Sequence, residues 1–332
     1  MSYSNKISYQ EEIPLKNYLN SIIQSNSFSN AYIFSGPDGV GKTVSALYFI
    51  SKILKLKNPN YLEKGKFSSI NHPDIFLIEP TYVVKGNLVN QSQSEEGGEE
   101  EDNKKNKAII RVDQIRNIKS FLSKKAIQSE KKFVLILDAH LLNEASSNCL
   151  LKTLEEPNNG HFILITSKQN ALIETVISRC QIIHFKPFTQ GKLKKIALET
   201  FQEITQKDQN NHLDDLIYIS NGSPHKLINN IKTWQKIPES IREAIKFPIL
   251  NIYNALLLAK TINDELIISE QKFLVDFLQF NWWVKTRDRE IIEILEKLKY
   301  LLTHNVQPRL SWEVTLIKLS LKRSYNSSID QL

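Results

Sequence analysis

An α/β domain built on a parallel sheet, followed by an all-helical C-terminal part, is the fold class predicted by the 332 residues. Three observations carry it. Apolar runs of strand length alternate with helical patterns as far as Pro187, and strand signals fade beyond that residue. A glycine-rich turn, Gly36-Pro37-Asp38-Gly39-Val40-Gly41-Lys42-Thr43, joins the first strand to the helix after it. Such alternation indicates parallel strands covered on both faces by helices.

Residues 10–30 place Leu15, Leu19, Ile22 and Ile23 on one helical side. Ala31-Tyr32-Ile33-Phe34 is a short buried strand, and Thr43 to Leu54 is a helix with Leu47, Phe49, Ile50 and Leu54 at helical spacing. His72-Pro73-Asp74 is a turn, with His72 placed before proline rather than on a metal. Ile75-Phe76-Leu77-Ile78 is the second strand, closed by Pro80. Residues 83–107 read as a solvated loop inserted in the sheet domain, because Glu95 to Asp102 concentrates like charges around paired glycines. Val112-Asp113-Gln114-Ile115-Arg116 opens a helix whose face carries Ile115, Ile118, Phe121 and Leu122 and which ends near Lys124-Lys125.

Phe133 to Leu137 is an apolar strand ending in a carboxylate, Asp138, and Asn143 caps a helix from Glu144 to Glu156 that Pro157 stops. His161 to Ser167 and Gln181 to Phe185 are the fourth and fifth strands. Leu193 to Ile204 and Leu213 to Ile219 are helical. Ser223-Pro224 starts another helix as cap and first residue, and everything from about 236 onward is helix. There Leu266, Phe273, Phe277 and Phe280 share one face, as do Ile291, Ile294, Leu295, Leu298 and Leu302. Trp282-Trp283 reads as core or interface rather than a base-stacking platform.

The glycine turn fits the phosphate-binding pattern G-x-x-x-x-G-K-[ST] at every required position. Its backbone N–H groups and the positive helix end suit one anion. Lys42 would reach the β/γ-phosphates, and Thr43 would hold Mg²⁺ through its hydroxyl. Gly36, Pro37, Asp38, Gly39, Val40, Gly41, Lys42 and Thr43 are therefore the expected binding residues for a nucleoside triphosphate, which the resemblance below implies is ATP. Ligands in parallel sheets sit at the carboxyl ends of the strands, where this loop, Asp138 and Thr166-Ser167 converge.

Composition bounds the rest. No apolar run approaches the roughly 20 residues that span a bilayer, and the first residues lack a signal-peptide layout. Two cysteines, Cys149 and Cys180, make neither a disulfide framework nor a four-cysteine zinc site. A soluble intracellular protein is expected. The net charge is +7, and setting aside residues 95–107 leaves 40 basic against 30 acidic residues. That balance suits nearby nucleic acid and a lysine-rich coding style equally.

Several stretches together resemble the clamp-loader branch of the AAA+ ATPases. The phosphate loop is widely shared; Leu150-Leu151-Lys152-Thr153-Leu154-Glu155-Glu156-Pro157 and Ser178-Arg179-Cys180 are far more specific. His72-Pro73-Asp74, Val112 to Arg116, Gly222-Ser223-Pro224 and Asn305 to Leu310 with Glu313 add to the resemblance, which covers nearly the whole chain. It implies a RecA-like AAA+ domain over residues 1–188, with the acidic insertion at about 83–107. A helical lid over 189–235 and a helical collar over 236–332 follow. It also implies a hetero-oligomeric ring within the DNA polymerase III holoenzyme, with other loader subunits, a sliding clamp and primer-template DNA as partners and the bacterial cytoplasm as location.

By the same resemblance Arg179 is an arginine finger acting on a neighbouring subunit's ATP, a task suited to a planar, permanently charged guanidinium. Thr166 or Ser167 takes the sensor 1 position, and His225 or Lys226 stands where sensor 2 arginine is common. The usual Asp-Glu-x-His of the family's second motif reads Leu137-Asp138-Ala139-His140 here. Asp138 thus takes the catalytic carboxylate's place one methylene short, and a misplacement of about 1 Å can cost about 10²-fold in rate. The family's zinc cysteines are absent between Ile53 and Asp74. ATP binding with weak hydrolysis is the expectation. An active ATPase motor subunit of the loader is the first alternative, and a small-molecule kinase the second.

Overall fold

Alternating side chains on five apolar strands build a sheet with two buried faces. The computed structural model describes residues 13–25, 28–56, 72–84, 87–90, 108–157, 160–200, 212–245, 251–304 and 306–329. The chain divides into two units, residues 1–187 and 188–332.

In the first unit the strands are β1 (Ala31–Ser35), β2 (Ile75–Ile78), β5 (Lys132–Ile136), β6 (Gly160–Thr166) and β7 (Gln181–His184). All pair in parallel in the order β2-β5-β6-β1-β7, the RecA-like arrangement with the phosphate loop leaving an interior strand. Helix α1 is Lys16–Gln24, and α2, Lys42–Ile53, follows the loop. Both cover the face formed by Tyr32, Phe34, Phe133, Leu135, Ile163 and Ile165. The opposite face, with Ile33, Val134, Ile136, Phe162 and Leu164, packs on α3 (Val112–Ser123) and α4 (Glu144–Glu155) through Ile115, Ile118, Leu122, Leu150 and Leu154. Burial at every residue of β1, β5 and β6, with successive side chains on opposite faces, is what a doubly covered sheet demands.

Local signals act as expected at the caps. Asn143 accepts the Ser146 N–H at 2.8 Å and starts α4. A single helical turn from Glu174 to Ile177, α5, precedes β7. The end of α3 is closed from outside: Lys132, buried at the start of β5, donates to the Phe121 carbonyl at 2.7 Å and to that of Lys124. Those carbonyls are orphans of the last helical turn, so the buried ammonium meets partners rather than hydrocarbon.

Three details differ from expectation. The stretch read as loop from residue 83 begins as strand: β3 (Thr81–Val84) and β4 (Asn87–Asn90) form an antiparallel hairpin. Cross-strand pairing of Tyr82 with Val89 and of Val83 with Leu88 outweighs the polar composition around it. The acidic run from 95 to 102 lies outside the described residues. Strand β5 ends at Ile136, so Leu137 and Asp138 belong to the turn after it. Leu15 stands outside the α1 face: it precedes the helix with φ 58° and is 39% exposed.

The second unit contains α6 (Gln190–Thr200), α7 (Leu213–Ile219), α8 (Pro224–Lys236), α9 (Glu239–Ala244), α10 (Ile252–Glu265), α11 (Ile268–Thr286), α12 (Arg289–Thr303) and α13 (Pro308–Ile329). Residues 201–204 of the first expected helix lie outside the described residues. Ser223 accepts the Lys226 N–H at 3.1 Å, with Pro224 at the first helical position. One core runs from Leu193 to Leu319 and includes Phe277, Leu295, Leu298 and Leu302. Trp282 is fully buried in it and donates to the Ile245 carbonyl at 3.2 Å, whereas Trp283 is 37% exposed.

Candidate functional site

The phosphate loop is fixed by close backbone packing. Gly36 N–H donates to the Thr166 carbonyl at 3.2 Å, and Phe185 N–H to the Ser35 carbonyl at 2.7 Å. At φ 155° Gly36 faces Phe185 so closely that a Cβ would lie 2.3 Å from its carbonyl oxygen. Only glycine leaves room there. Gly41 caps α2 in the left-handed region at φ 88°, where L side chains are strained.

Lys42 is 6% exposed, and its ammonium donates to the Gly36 and Pro37 carbonyls, each at 2.6 Å. Asp38 lies 3.9 Å away. Burial pulls its pKa below the usual lysine value, while Asp38 and Asp138 oppose that. Thr43 is half-buried on the first turn of α2. The loop, the first N–H groups of α2, an ammonium and a hydroxyl form a donor set that matches a polyphosphate.

The end of β5 differs from that set in character. Alternation puts Leu137 with Phe133 and Leu135 toward the α2 side, where it packs against their core. An apolar side chain therefore occupies the strand-end position on the phosphate-loop face. Asp138 follows in the left-handed region, φ 45° and ψ 48°. Burial raises its pKa, opposed by His140, aided by Asp38 and opposed again by Lys42. Among the described residues no group of three His, Cys, Asp or Glu side chains is arranged to hold a metal ion. With phosphate bound, the Thr43 hydroxyl and the Asp138 carboxylate are the hard oxygen donors that would hold Mg²⁺ here.

Thr166 is fully buried at the end of β6, in register with Ser35. Its Oγ1 accepts the Lys168 N–H at 3.1 Å and lies 3.4 Å from His140 Nδ1. Thr166 thus links the loop, through its carbonyl, to the turn that carries Asp138. His225 and Lys226 are exposed on the first turn of α8 in the second unit.

Arg179 lies elsewhere on the sheet. It stands two residues before β7, whose Gln181–His184 pairs with Tyr32–Ser35. It is therefore at the amino ends of the strands, while the phosphate loop follows their carboxyl ends. The length of β7, four residues at about 3.3 Å each, separates the two. Its Nη2 donates to Glu155 Oε1 at 2.6 Å and its Nη1 to the Thr175 carbonyl at 2.9 Å, with 37% of the side chain exposed. The adjacent Cys180 thiol is pushed up to about 12 by burial, which leaves it protonated at neutral pH.

Sequence reasoning missed two of these partners. Glu155 lies within the Leu150 to Pro157 stretch, but nothing in its spacing points to a residue 24 positions away. The Phe185 carbonyl against Gly36 has no sequence signal, because backbone groups of any residue serve equally.

A glycine cradle behind an interior strand of a five-stranded parallel sheet, with a helical unit after it, defines a phosphate-loop protein of the AAA+ class. The chain belongs to the DNA polymerase III delta subunit family, whose model matches residues 11–189. A second model, the cyanobacterial DNA polymerase III delta prime C-terminal domain, matches residues 196–319. The delta prime subunit of Bacillus subtilis is 28% identical over 188 residues, covering 53% of this chain and 48% of its own. That of Pseudomonas aeruginosa is 28% identical over 204 residues, covering 59% and 54%. The tau subunit of Bacillus subtilis is 29% identical over 193 residues, covering 57% and 30%. The chain thus spans about half the length of the delta prime relatives it matches. Among the described residues no helix is long and apolar enough to cross a membrane.

Proposed function

We propose that the protein is a clamp-loader subunit of a bacterial DNA polymerase III. With delta and tau/gamma subunits it would help place a sliding clamp on primer-template DNA. It would bind ATP in the Gly36–Thr43 loop, hydrolyse it weakly and supply Arg179 to the neighbouring subunit's nucleotide. The carrying observation is the position of Arg179: a partly exposed guanidinium at the end of the sheet opposite its own phosphate loop. A cation so placed has no route to this chain's phosphates.

ATP supplies the transferable phosphoryl group and the free energy of its hydrolysis. This chain's residues act around it. Lys42, held between two loop carbonyls, would exchange them for phosphate oxygens, and Thr43 would share Mg²⁺ with those oxygens. Thr166 would hold the sensor position against the loop. Leu137 removes a carboxylate from the strand end, and Asp138 is shorter than the glutamate that orients water in active relatives. Its raised pKa further weakens it as a base at low pH. Lid and collar roles for residues 189–235 and 236–332 belong to the same proposal.

The identity with tau relatives favours a second reading, an active tau/gamma-like motor. ATPase activity of the isolated chain separates the two: motor-like turnover would sink the weak-hydrolysis reading. In a reconstituted loader Arg179→Ala should lower DNA-stimulated hydrolysis by its neighbour, and an unchanged rate would remove the finger assignment. Fluorescent ATP analogues should bind wild type and not Lys42→Ala; equal binding would remove the function given to the loop.

A further inference from the structure

We propose that Glu155 is the positioning residue for Arg179. The inference rests on the reading that Arg179 acts on a neighbouring chain's triphosphate. An arginine side chain free in solvent samples many rotamers, and fixing it at the moment of reaction costs entropy. A guanidinium held in place before the encounter avoids that cost.

The geometry supplies such a hold from two elements. Thr175, on the short helix α5, accepts one Nη1–H, and Glu155, the last residue of α4, accepts one Nη2–H. Neither support is loose. Leu154 beside Glu155 is 7% exposed, Val176 beside Thr175 is 1% exposed, and both side chains belong to the same core. Arg179's own backbone is pinned by its N–H to the Val176 carbonyl at 3.2 Å, and the next residue's by Cys180 N–H to the Ile177 carbonyl at 3.1 Å. The carboxylate also sits where the end of α4 is negative, which adds to its pull on a cation.

The contacts leave the group able to work. A guanidinium carries five N–H donors. The two bonds use one on each terminal nitrogen, so three remain to meet an anion. Glu155 touches through Oε1, an end-on contact that holds orientation without closing the fork. The pair is also a poor device for stability alone, since its side chains are 37% and 51% exposed and such pairs contribute little. Orientation is the role that geometry favours.

The test uses the reconstituted loader with MgATP and primer-template DNA. Arg179→Ala first defines the component of hydrolysis that depends on the guanidinium. Glu155→Ala should lower the kcat of that component about two- to fivefold, the factor an exposed pair can carry. KM for ATP should stay unchanged, because the arginine acts on the transition state. Glu155→Gln keeps a neutral acceptor in place and should recover most of the loss, which a generally damaged fold would not. The double variant should be no slower than Arg179→Ala. An unchanged rate in Glu155→Ala, or a double variant slower than Arg179→Ala, overturns the positioning role while the finger stands. An unchanged rate in Arg179→Ala overturns the finger, and this inference with it.

Discussion

Replacing Asp74 should destabilise the sheet unit far more than an acidic residue normally would, because its carboxylate organises a whole turn. Asp74 is fully buried. Oδ1 accepts the Ile127 N–H at 2.7 Å, and Oδ2 accepts Gln128 N–H at 2.8 Å, Ser129 N–H at 2.9 Å and the Ser129 hydroxyl at 2.8 Å. These bonds tie the turn between α3 and β5 to the start of β2, where the Asp74 carbonyl also accepts Phe133 N–H at 2.9 Å. His72 supports the same corner by accepting the Asp74 N–H on Nδ1 at 3.2 Å.

Asp74→Asn keeps the shape and removes the charge. Its amide oxygen can stay where three donors meet, which sets its NH₂ against the Ile127 N–H. One charge-assisted bond, worth about 2 kcal/mol, is lost, and three others weaken to neutral strength. Relaxation of an exposed turn, with Ile127 74% exposed, recovers part of the loss. A net cost of about 3 kcal/mol follows. For a unit of this size that lowers the melting temperature by roughly 6–12 °C. Thermal and urea unfolding at neutral pH measure it.

The pH dependence is a second arm. Burial raises the Asp74 pKa, but the four accepted bonds outweigh it and hold the group below the usual carboxylate value. The stabilisation is therefore complete above the unfolded pKa near about 4 and is lost as pH falls through the lower folded pKa. The gap between wild type and Asp74→Asn should narrow below about pH 4. A melting shift under about 2 °C at neutral pH, or a gap that widens with acid, would refute the reasoning.

Gly36→Ala places a Cβ 2.3 Å from the Phe185 carbonyl, so nucleotide-analogue binding should fall with a stability loss of about 1–3 kcal/mol; unchanged binding and melting would mean the contact relaxes freely. Cys180, half-buried and with its thiol pushed up to about 12, should react with thiol reagents at pH 8 more slowly in the native than in the unfolded chain, and equal labelling rates would contradict that shift. Lys132→Met should cost about 2 kcal/mol by orphaning the carbonyls of Phe121 and Lys124, which melting of the variant reports.

Much of the first unit was legible because its strands are continuous apolar runs that only a doubly covered sheet can bury. The five strands appear where those runs lie, and Asn143 and Ser223 cap the helices they precede. The hairpin of β3 and β4 was not legible, since its pairing depends on cross-strand partners amid Lys85, Gly86 and Asn87. Strand order was equally hidden: nothing local in Ala31–Ser35 states that it lies between β6 and β7. The grip of Asp74 was visible only as part of a family-like tripeptide, because its partners, three backbone N–H groups and the Ser129 hydroxyl, lie more than fifty residues away.

The candidate site divides along the same line. Its chain-local part, the loop from Gly36 to Thr43, is specified by backbone conformations that few residues permit, so its letters are diagnostic. Its long-range part depends on which end of the sheet a residue reaches. Leu137 and Arg179 stand out in the sequence only by family resemblance, and topology gives them their places. The first is an apolar side chain at the carboxyl end of β5, on the face of the phosphate loop. The second is a braced cation at the amino end of β7. Because parallel strands put all their carboxyl ends on one side, Arg179 and the Gly36–Thr43 loop of the same chain lie at opposite ends of the sheet. Under the proposed function, a sheet so built would give its Gly36–Thr43 loop and Arg179 to two different interfaces, and that separation would suit a ring of such subunits.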